Sequence, residues 1–565
     1  MKVDLLVRNA VIVTVDDATP RAHALAVHRG RVFALDPDGV SAHAEIDAQG
    51  AAVVPGFGDA HNHMAWFGAS LDEVDLAGLT DLRALYDRVA QRAAALAPDA
   101  FVIGSGYDDT AIGGHPHRRE LDRAAGGRPV VLKHRSGHVT TVNSTVLDRI
   151  GVLDGSAVVP EGGVVVRDEA GEPTGTLEEQ AQNLVSALLV PYATDDLARA
   201  VGNAAAVYAA EGLTHVTECG IGGGWIGRSP RELAAYQQAR DAGTLTVRVQ
   251  LMPASDALHP VAGHASDPGG IGLDLGVRTG FGDDRLRIGP MKIFTDGSLV
   301  ARTAAMREPF CDRHGHGYLQ EDPEVLRSRI LGAHATGWRV AAHAIGDRAI
   351  DLALDAFEEM LRAHPRPGAR PRIEHAAVTS PEQVARMARL GVTPVPQPRF
   401  LYEIGDTMVE AVGPDRAAAL YRHASFLRAG LRVPGSSDRP VAAGAPLLGM
   451  QSMVQRMSAS GAVIGPDERV DAATALRAYT LDAAWIAGEE RERGSLTPGK
   501  LADFVLLSDD VTAVAPERIG EVEVLATFVG GRCVHGAEQV GAEQVGAEVG
   551  AEKVGAEEPD HNQEE

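Results

Sequence analysis

The first 50 residues alternate apolar and polar positions in short pieces, from Leu5 to Val15 and from Ala24 to Val27, broken by Gly30, Pro37 and Gly39. Alternation of period two with such breaks predicts short antiparallel strands. From residue 51 to about 480 the texture changes, and short apolar runs are followed by long Ala/Leu/Arg segments of helical period. Ala51 to Phe57 leads to Leu82 to Leu96, Arg339 to His343 leads to Arg348 to Leu361, and Arg372 to His375 leads to Pro381 to Leu390. Strand-then-helix repetition predicts parallel strands with right-handed crossovers, hence an α/β fold, either a doubly wound sheet or a TIM barrel. Gly494 to Leu507 returns to turn-plus-strand grammar and Glu523 to Val529 reads as a further strand, so the two chain ends can share one small sheet. After His535 a Gly-Ala-Glu-Gln-Val repeat occurs twice and then decays. Residues 536 to 565 carry nine acids, one lysine and no aromatic, too little apolar surface to order a segment, which predicts a disordered acidic tail.

Composition narrows the class. With 45% apolar and 23% charged residues over 565 positions, the chain can bury a large core and is not fibrous. A formal charge of −24, from 77 acids against 53 bases, argues against a nucleic-acid partner and against an anionic membrane surface. No run approaches 18 apolar residues, and Asp4 and Arg8 interrupt the first segment, so the expectation is a cytoplasmic protein without a membrane span. Cys219, Cys311 and Cys533 are too few and too scattered for a disulfide framework or a cysteine-based zinc site.

The most informative stretch runs from Val53 to His63. His61 and His63, at i and i+2 on an extended strand, point to one side and can face one metal. The apolar strand preceded by Pro55-Gly56 puts the pair at a strand's C-terminal mouth, where barrel active sites are built. His343 and His375 also end apolar runs. Either alone reads as a satisfied core histidine, but the repeated position favours ligation. Asp438, after Val433 to Ser437, can bind a metal and exchange a proton with its bound water, with helix capping as the alternative. His115, His117, His134, His314 and His316 lie in Gly- and Arg-rich sequence without a preceding strand and read as exposed loop histidines. Gly220 to Trp225 is glycine-rich but lacks the Lys-Ser/Thr of a phosphate loop. Asp347 reads as the cap of the helix after His343.

These residues, with Ser136 to Ser144, Pro173 to Glu179, Met291 to Leu299 and the Gly494 to Asp503 turn, resemble the metal-dependent amidohydrolase superfamily over residues 1 to 535, and within it the amidohydrolase family 3 group of N-substituted formamide deformylase-like hydrolases. The resemblance implies a distorted (β/α)₈ barrel with a small β-sandwich from both chain ends. The implied division is residues 1–55 and 486–535 for the sandwich, 56–485 for the barrel and 536–565 for the tail. It further implies that His61, His63 and Asp438 hold one metal, and that His343 and His375 hold a second or orient substrate. Lys292 matches the position of a carboxylated lysine bridging two ions. Its competing reading is a buried lysine paired with Asp296, and Glu179 is the alternative bridge. His138 is a candidate for polarising the substrate carbonyl, or else makes a structural hydrogen bond.

The expected activity is hydrolysis of a carbon–nitrogen bond in an amide, formamide or cyclic amide, with one or two divalent metals, zinc before others. Asp438 would relay a proton from water to the departing amine. The competing expectations are a heterocycle deaminase of the same superfamily and a metal-free scaffold barrel. The expected partner is a small-molecule amide, and a homo-oligomer is compatible with the sequence. The loops near 104–120, 220–230, 255–285 and 397–423, which would set specificity, name no ligand class.

Overall fold

The computed structural model describes residues 1–134, 139–160, 163–223, 226–266, 270–312 and 315–541. The chain is α/β and falls into two compact units. One is Met1–His63 with Ala205–Gly220 and everything from Leu245 onward, and the other is Met64–Ala204 with Ile221–Thr244.

In the first unit the period-two region becomes sheet. Lys2–Arg8 turns Val3, Leu5 and Val7 inward and lies between Leu25–His28, antiparallel, and Ser41–Asp47, parallel. A second sheet runs Arg532–His535, Val524–Val529, Phe504–Leu507, Ala52–Pro55, Val11–Val13, Arg21–Ala22, so strands from both chain ends pair directly, Val505 opposite Val54. Leu5, Leu25 and Val27 share a buried core with Ile12, Val53, Phe504 and Phe528. The Phe504 and Phe528 rings stack with centroids 4.4 Å apart. Each such side chain contributes about 1.5–3 kcal/mol when fully buried.

Pro55-Gly56 leads from that sheet into Phe57–Asn62, which pairs in parallel with Leu213–Ile221. Arg248–Pro253 and Leu286–Ile288 continue this sheet. A further sheet of parallel strands runs Met291–Phe294, Val340–Ala344, Arg372–His375, Thr393–Val395. A parallel bridge between Ala254 and Lys292 joins the two. On the far side the extended segment 433–438 bonds to the first strand, Ala60 N–H to Gly435 C=O at 3.0 Å and Asp438 N–H to His61 C=O at 2.8 Å, and Ser436 Oγ donates to Pro396 C=O at 2.8 Å. Every residue of Phe57–Asn62, Leu213–Ile221 and Val340–Ala344 is buried, the pattern of parallel strands covered on both faces. Close approach of the first two strands needs glycine at 58, where a Cβ would lie 2.0 Å from His215 Nε2.

Helices follow the strands as the periodicity predicts, at Asp347–Ala363 and Pro381–Leu390. Asp347 does not cap its helix. Gly346 occupies the N-cap position and makes no side-chain cap bond, while Asp347 in the first turn accepts the Arg307 N–H at 2.7 Å, where the helix dipole favours a carboxylate.

The second unit departs from strict strand-then-helix repetition. Val74–Asp75, Val102–Tyr107 and Val130–His134 are parallel, but Val139–Val142, Pro173–Glu179 and Gly163–Arg167 extend the sheet antiparallel. Four residues between His134 and Val139 are too few for a crossover helix. The first residues of the 536–565 segment depart from the disorder expectation, Glu538–Val540 forming a 3₁₀ turn with Val540 against the core of Phe504 and Phe528; the remainder beyond Gly541 lies outside the described residues, among which no helix is long and apolar enough to cross a membrane.

Candidate metal centre

The first unit brings four imidazoles and one carboxylate together at the C-terminal ends of its parallel strands. His61 is the fifth residue of Phe57–Asn62 and His63 follows one residue past its end, so both rings emerge on one side with centroids 5.4 Å apart. Asp438 Oδ1 lies 3.2 Å from His61 Nε2 and 3.0 Å from His63 Nε2. The His375 ring is 4.9 Å from that of His61 and 4.4 Å from that of His343. All five are buried. Lys292, wholly buried on Met291–Phe294, points Nζ to within 3.5 Å of His61 Nε2 and sits 4.7 Å from the Phe294 ring centre. Among the described residues no carboxylate lies within 4.0 Å of its ammonium. Asp296 does not pair with it but accepts the backbone N–H groups of Ala305, Ile345 and Gly346 at 2.8–3.0 Å. Burial pushes the Asp296 carboxyl up to about 7, against the pull of those three N–H groups.

Three imidazoles are oriented through the nitrogen that faces away from the cluster. His61 Nδ1 meets Glu374 Oε2 at 2.5 Å, His343 Nε2 meets Gly297 C=O at 3.1 Å, and His375 Nδ1 meets Gln397 Oε1 at 2.6 Å. An acceptor on one ring nitrogen fixes the other as a lone pair, as a metal ligand requires. Burial first, then the Lys292 charge, pushes His343 down to about 3. Burial and the charge of His343 hold His375 well below the ordinary imidazole value. Burial pulls His61 down as well, but Cys219, Asp438 and Glu374 outweigh it and hold the ring well above. Asp438 is held well below the carboxylate range, because His61 and His63 overcome its burial. A cation among these atoms would find His61 Nε2, His63 Nε2 and Asp438 Oδ1 already grouped.

Backbone geometry lets adjacent residues face the same site. Successive strand residues normally point to opposite faces, yet both Glu374 and His375 contact the cluster. His375 has φ 71° and Ala376 φ 45°, a left-handed turn that resets the alternation. Asp438 also has positive φ, 59°, and such conformations in non-glycine residues persist where the surroundings over-determine them. Those surroundings include Asp59, which accepts from His61 N–H and Ser437 N–H at 3.1 and 3.0 Å and from Asn62 Nδ2 at 2.8 Å.

His61, His63, Lys292, His343, His375 and Asp438 are therefore neighbours. His138 lies outside the described residues, and so does the side chain of Glu179, whose backbone ends the Pro173–Glu179 strand of the other unit. Glu374, Arg372, Gln397, Asp59 and Cys219 were not singled out from sequence. Buried Arg372 binds both oxygens of Glu374, at 2.5 and 2.9 Å, and reaches Ala60 C=O at 2.6 Å. Cys219 Sγ offers a ligand-type atom within 4.8 Å of His61 and Glu374.

The expectation of exposed loop histidines is corrected at three positions, since His115, His117 and His134 are half-buried. His134 ends a strand, Val130–His134, and its Nε2 lies 3.0 Å from Asp109 Oδ1. A lysine and a histidine after three apolar residues concealed the strand. His115 Nδ1 meets the Tyr107 hydroxyl at 3.1 Å, His117 caps Arg118–Ala125, and His316 is exposed. His314, Gly224 and Trp225 lie outside the described residues.

A family model described as the amidohydrolase family matches residues 44–535. N-substituted formamide deformylase of Arthrobacter pascens is 32% identical over 547 residues, covering 94% of this chain and 97% of that protein. The Arabidopsis thaliana protein LONG AFTER FAR-RED 3 is 30% identical over 550 residues, covering 94% and 91%. The crystal structure of an uncharacterized metal-dependent hydrolase from Pyrococcus horikoshii superposes with a TM-score of 0.74 at 26% identity, covering 91% of this chain and 99% of that one.

Proposed function

Because this chain belongs to the amidohydrolase family and is a hydrolase acting on carbon–nitrogen bonds, we propose that it cleaves a small amide, formamide or cyclic amide with one or two divalent metals, zinc first among them. The observation that carries the reading is the convergence of His61, His63, His343, His375 and Asp438, with three rings oriented by separate acceptors. The donor set fits a borderline divalent ion, since imidazole and carboxylate suit zinc and manganese. His61, His63 and Asp438 would hold one ion, and His343 and His375 a second. A divalent ion held there supplies positive charge that makes water nucleophilic near neutral pH and polarises a carbonyl.

The chain's own groups carry the proton. Asp438, placed between His61 Nε2 and His63 Nε2, accepts a proton from the attacking water and delivers it to the departing nitrogen as the carbon–nitrogen bond breaks. His138 is assigned to the substrate carbonyl oxygen. Lys292 is the proposed bridge. An ammonium beside two dications would be disfavoured, whereas addition of carbon dioxide to Nζ, with loss of two protons from the ammonium to solvent, would convert it to a carbamate anion. Its 3.5 Å separation from His61 Nε2 supports this role. The proposed fold frame is a closed, distorted (β/α)₈ barrel over residues 56–485, with residues 1–55 and 486–535 as a sandwich, supported by the Ala254–Lys292 bridge and the bonds from segment 433–438 to the first strand.

Chelation should abolish hydrolysis of an N-formyl, N-acyl-amino-acid or cyclic amide substrate, and zinc or manganese should restore it. His61→Ala and His343→Ala should each lower metal content measured by elemental analysis. Full activity with unchanged metal stoichiometry in both variants would overturn the reading. Lys292→Ala should lose metal and be partly rescued by short carboxylic acids, while Lys292→Arg should not be rescued. Unmodified Nζ density in a metal-loaded crystal would move the bridge to Glu179.

A further inference from the structure

The geometry points to a second binding site in the first unit, for a phosphate-type anion, at the strand ends opposite the imidazole cluster. A cavity of about 320 Å³ is lined by Arg278, Arg287, Arg339 and Arg366, by Gln250 and by several glycines. Arg339 immediately precedes Val340–Ala344, which carries His343 near its other end, and Gln250 lies near the start of Arg248–Pro253. The cavity is thus separated from the metal centre by the length of the strands.

Its charge is poorly compensated. Arg287 pairs with Glu489 at 2.7 Å. Among the described residues no carboxylate lies within 4.0 Å of the guanidinium of Arg278, Arg339 or Arg366. Arg339 Nη1 donates to Ala487 C=O at 3.4 Å, and Arg366 Nη2 donates to Trp338 C=O and lies 3.0 Å from His334 Nδ1. The neighbouring Arg370, by contrast, is bound to Glu490 through two hydrogen bonds. Burial and the charge of Arg370 push Arg339 down to about 10. In a chain of net charge −24, grouping guanidinium groups around one cavity is unfavourable unless an anion joins them, and their planar donors match phosphate oxygens in pairs.

Two further features shape the site. Gly337 (φ +96°) and Gly488 (φ +86°) take conformations that favour glycine, and a Cβ on them would stand 2.3 Å from Arg278 Nη1 and 2.6 Å from Arg339 Nη1. Only glycine lets these guanidinium groups seat where they do. Gln250 is 3% exposed, its Nε2 donates to Ala487 C=O at 3.0 Å, and its Oε1 has no hydrogen-bond partner among the described residues. A buried acceptor left without a donor is costly, so the ligand that completes the site brings an O–H as well as anionic oxygens. Hydrogen phosphate has both. Sulfate at neutral pH has the same shape and charge but no proton to give.

The test is calorimetric titration of the metal-loaded full-length protein at pH 7 and constant ionic strength, with inorganic phosphate, glycerol 3-phosphate and sulfate as probes. The expected result is one saturable site that takes inorganic phosphate at least tenfold more tightly than sulfate. Arg278→Ala, at an exposed position, should weaken phosphate at least tenfold without changing the melting temperature, and Gln250→Leu should erase the preference over sulfate. His61→Ala should bind phosphate as the parent does. Tighter binding of glycerol 3-phosphate would identify a phosphate ester as the physiological source, and tighter binding of inorganic phosphate the free ion. Absence of saturable binding, or binding undiminished in Arg278→Ala but lost in His61→Ala, would overturn the proposal and place the anion at the metal centre.

Discussion

Replacing Glu374 by Gln changes one atom and should have two separable effects. The wild-type carboxylate is wholly buried, accepts the His61 Nδ1–H at 2.5 Å and binds Arg372 at 2.5 and 2.9 Å. Burial alone would raise its pKa, but Arg372 and His61 reverse that and hold it well below the carboxylate range. In the variant one amide oxygen can still receive the His61 proton, but the NH₂ group must then face the Arg372 donors. Arg372 becomes a buried charge without a counter-charge, a loss of about 3–5 kcal/mol when one partner of a buried pair is removed. Weaker support of the ligand ring should lower metal affinity about 10–100-fold, equivalent to roughly 1.4–2.7 kcal/mol. Competition with a chromophoric chelator reads the second effect, and the urea midpoint of the metal-free protein reads the first. Metal affinity within about twofold of the parent, at an unchanged midpoint, would refute the argument that His61 is held as a ligand through Glu374 and Arg372.

Gly58→Ala forces a Cβ to within 2.0 Å of His215 Nε2, a ring that is 2% exposed, and should destabilise the protein by about 1–3 kcal/mol through overpacking, measured by chemical denaturation. His423 supplies a pH test at a ring whose partners are Tyr421 C=O and Arg456. Burial, then Arg456, pushes it down to about 3, below its unfolded value of 6.5. Its stabilising contribution is complete above pH 6.5 and is lost as pH falls towards 3, at up to about 1.4 kcal/mol per pH unit. His423→Asn, which keeps a donor for Tyr421 C=O, should be less sensitive than the parent between pH 6.5 and 4.5. Parallel stability curves for the two would refute the assignment.

The ligand-type residues were legible because each stands where an apolar run stops. His61, His343 and His375 end runs that can only be buried strands, and a histidine repeated at that position is informative where a single one is not. Glu374 was hidden by the same logic. Read as a strand residue it should face away from the side His375 faces, and only the positive φ at His375 brings both to the cluster. No residue type at 375 or 376 signals that turn. Arg372 and Gln397 were invisible for another reason, since their roles depend on partners two to several hundred positions away. The antiparallel strands of the second unit were missed because runs such as Val139–Val142 are short and contain threonine, too little pattern to set against the helical periodicity around them.

The pairing of Ala52–Pro55 with Phe504–Leu507 also fixes when the sheet that leads into the His61 strand can close during synthesis. His61 lies on the strand that begins two residues after Pro55, with His63 one residue past its end, and one edge of the preceding Ala52–Pro55 strand has no partner until residue 504 is made, 449 positions later. At about 5–20 residues per second the nascent chain waits roughly 20–90 s with that edge of the sheet open. His343, His375 and Asp438 are added in that interval, before the sheet can close. A chain ended between residues 438 and 504 therefore carries all five ligand-type side chains, and the partners of Phe57–Asn62 at Leu213–Ile221, but still lacks the strand that covers the edge of Ala52–Pro55. Closure of the sheet from which the His61 strand departs is in this way tied to the making of residues 504–507, and products ended before them keep an exposed strand edge.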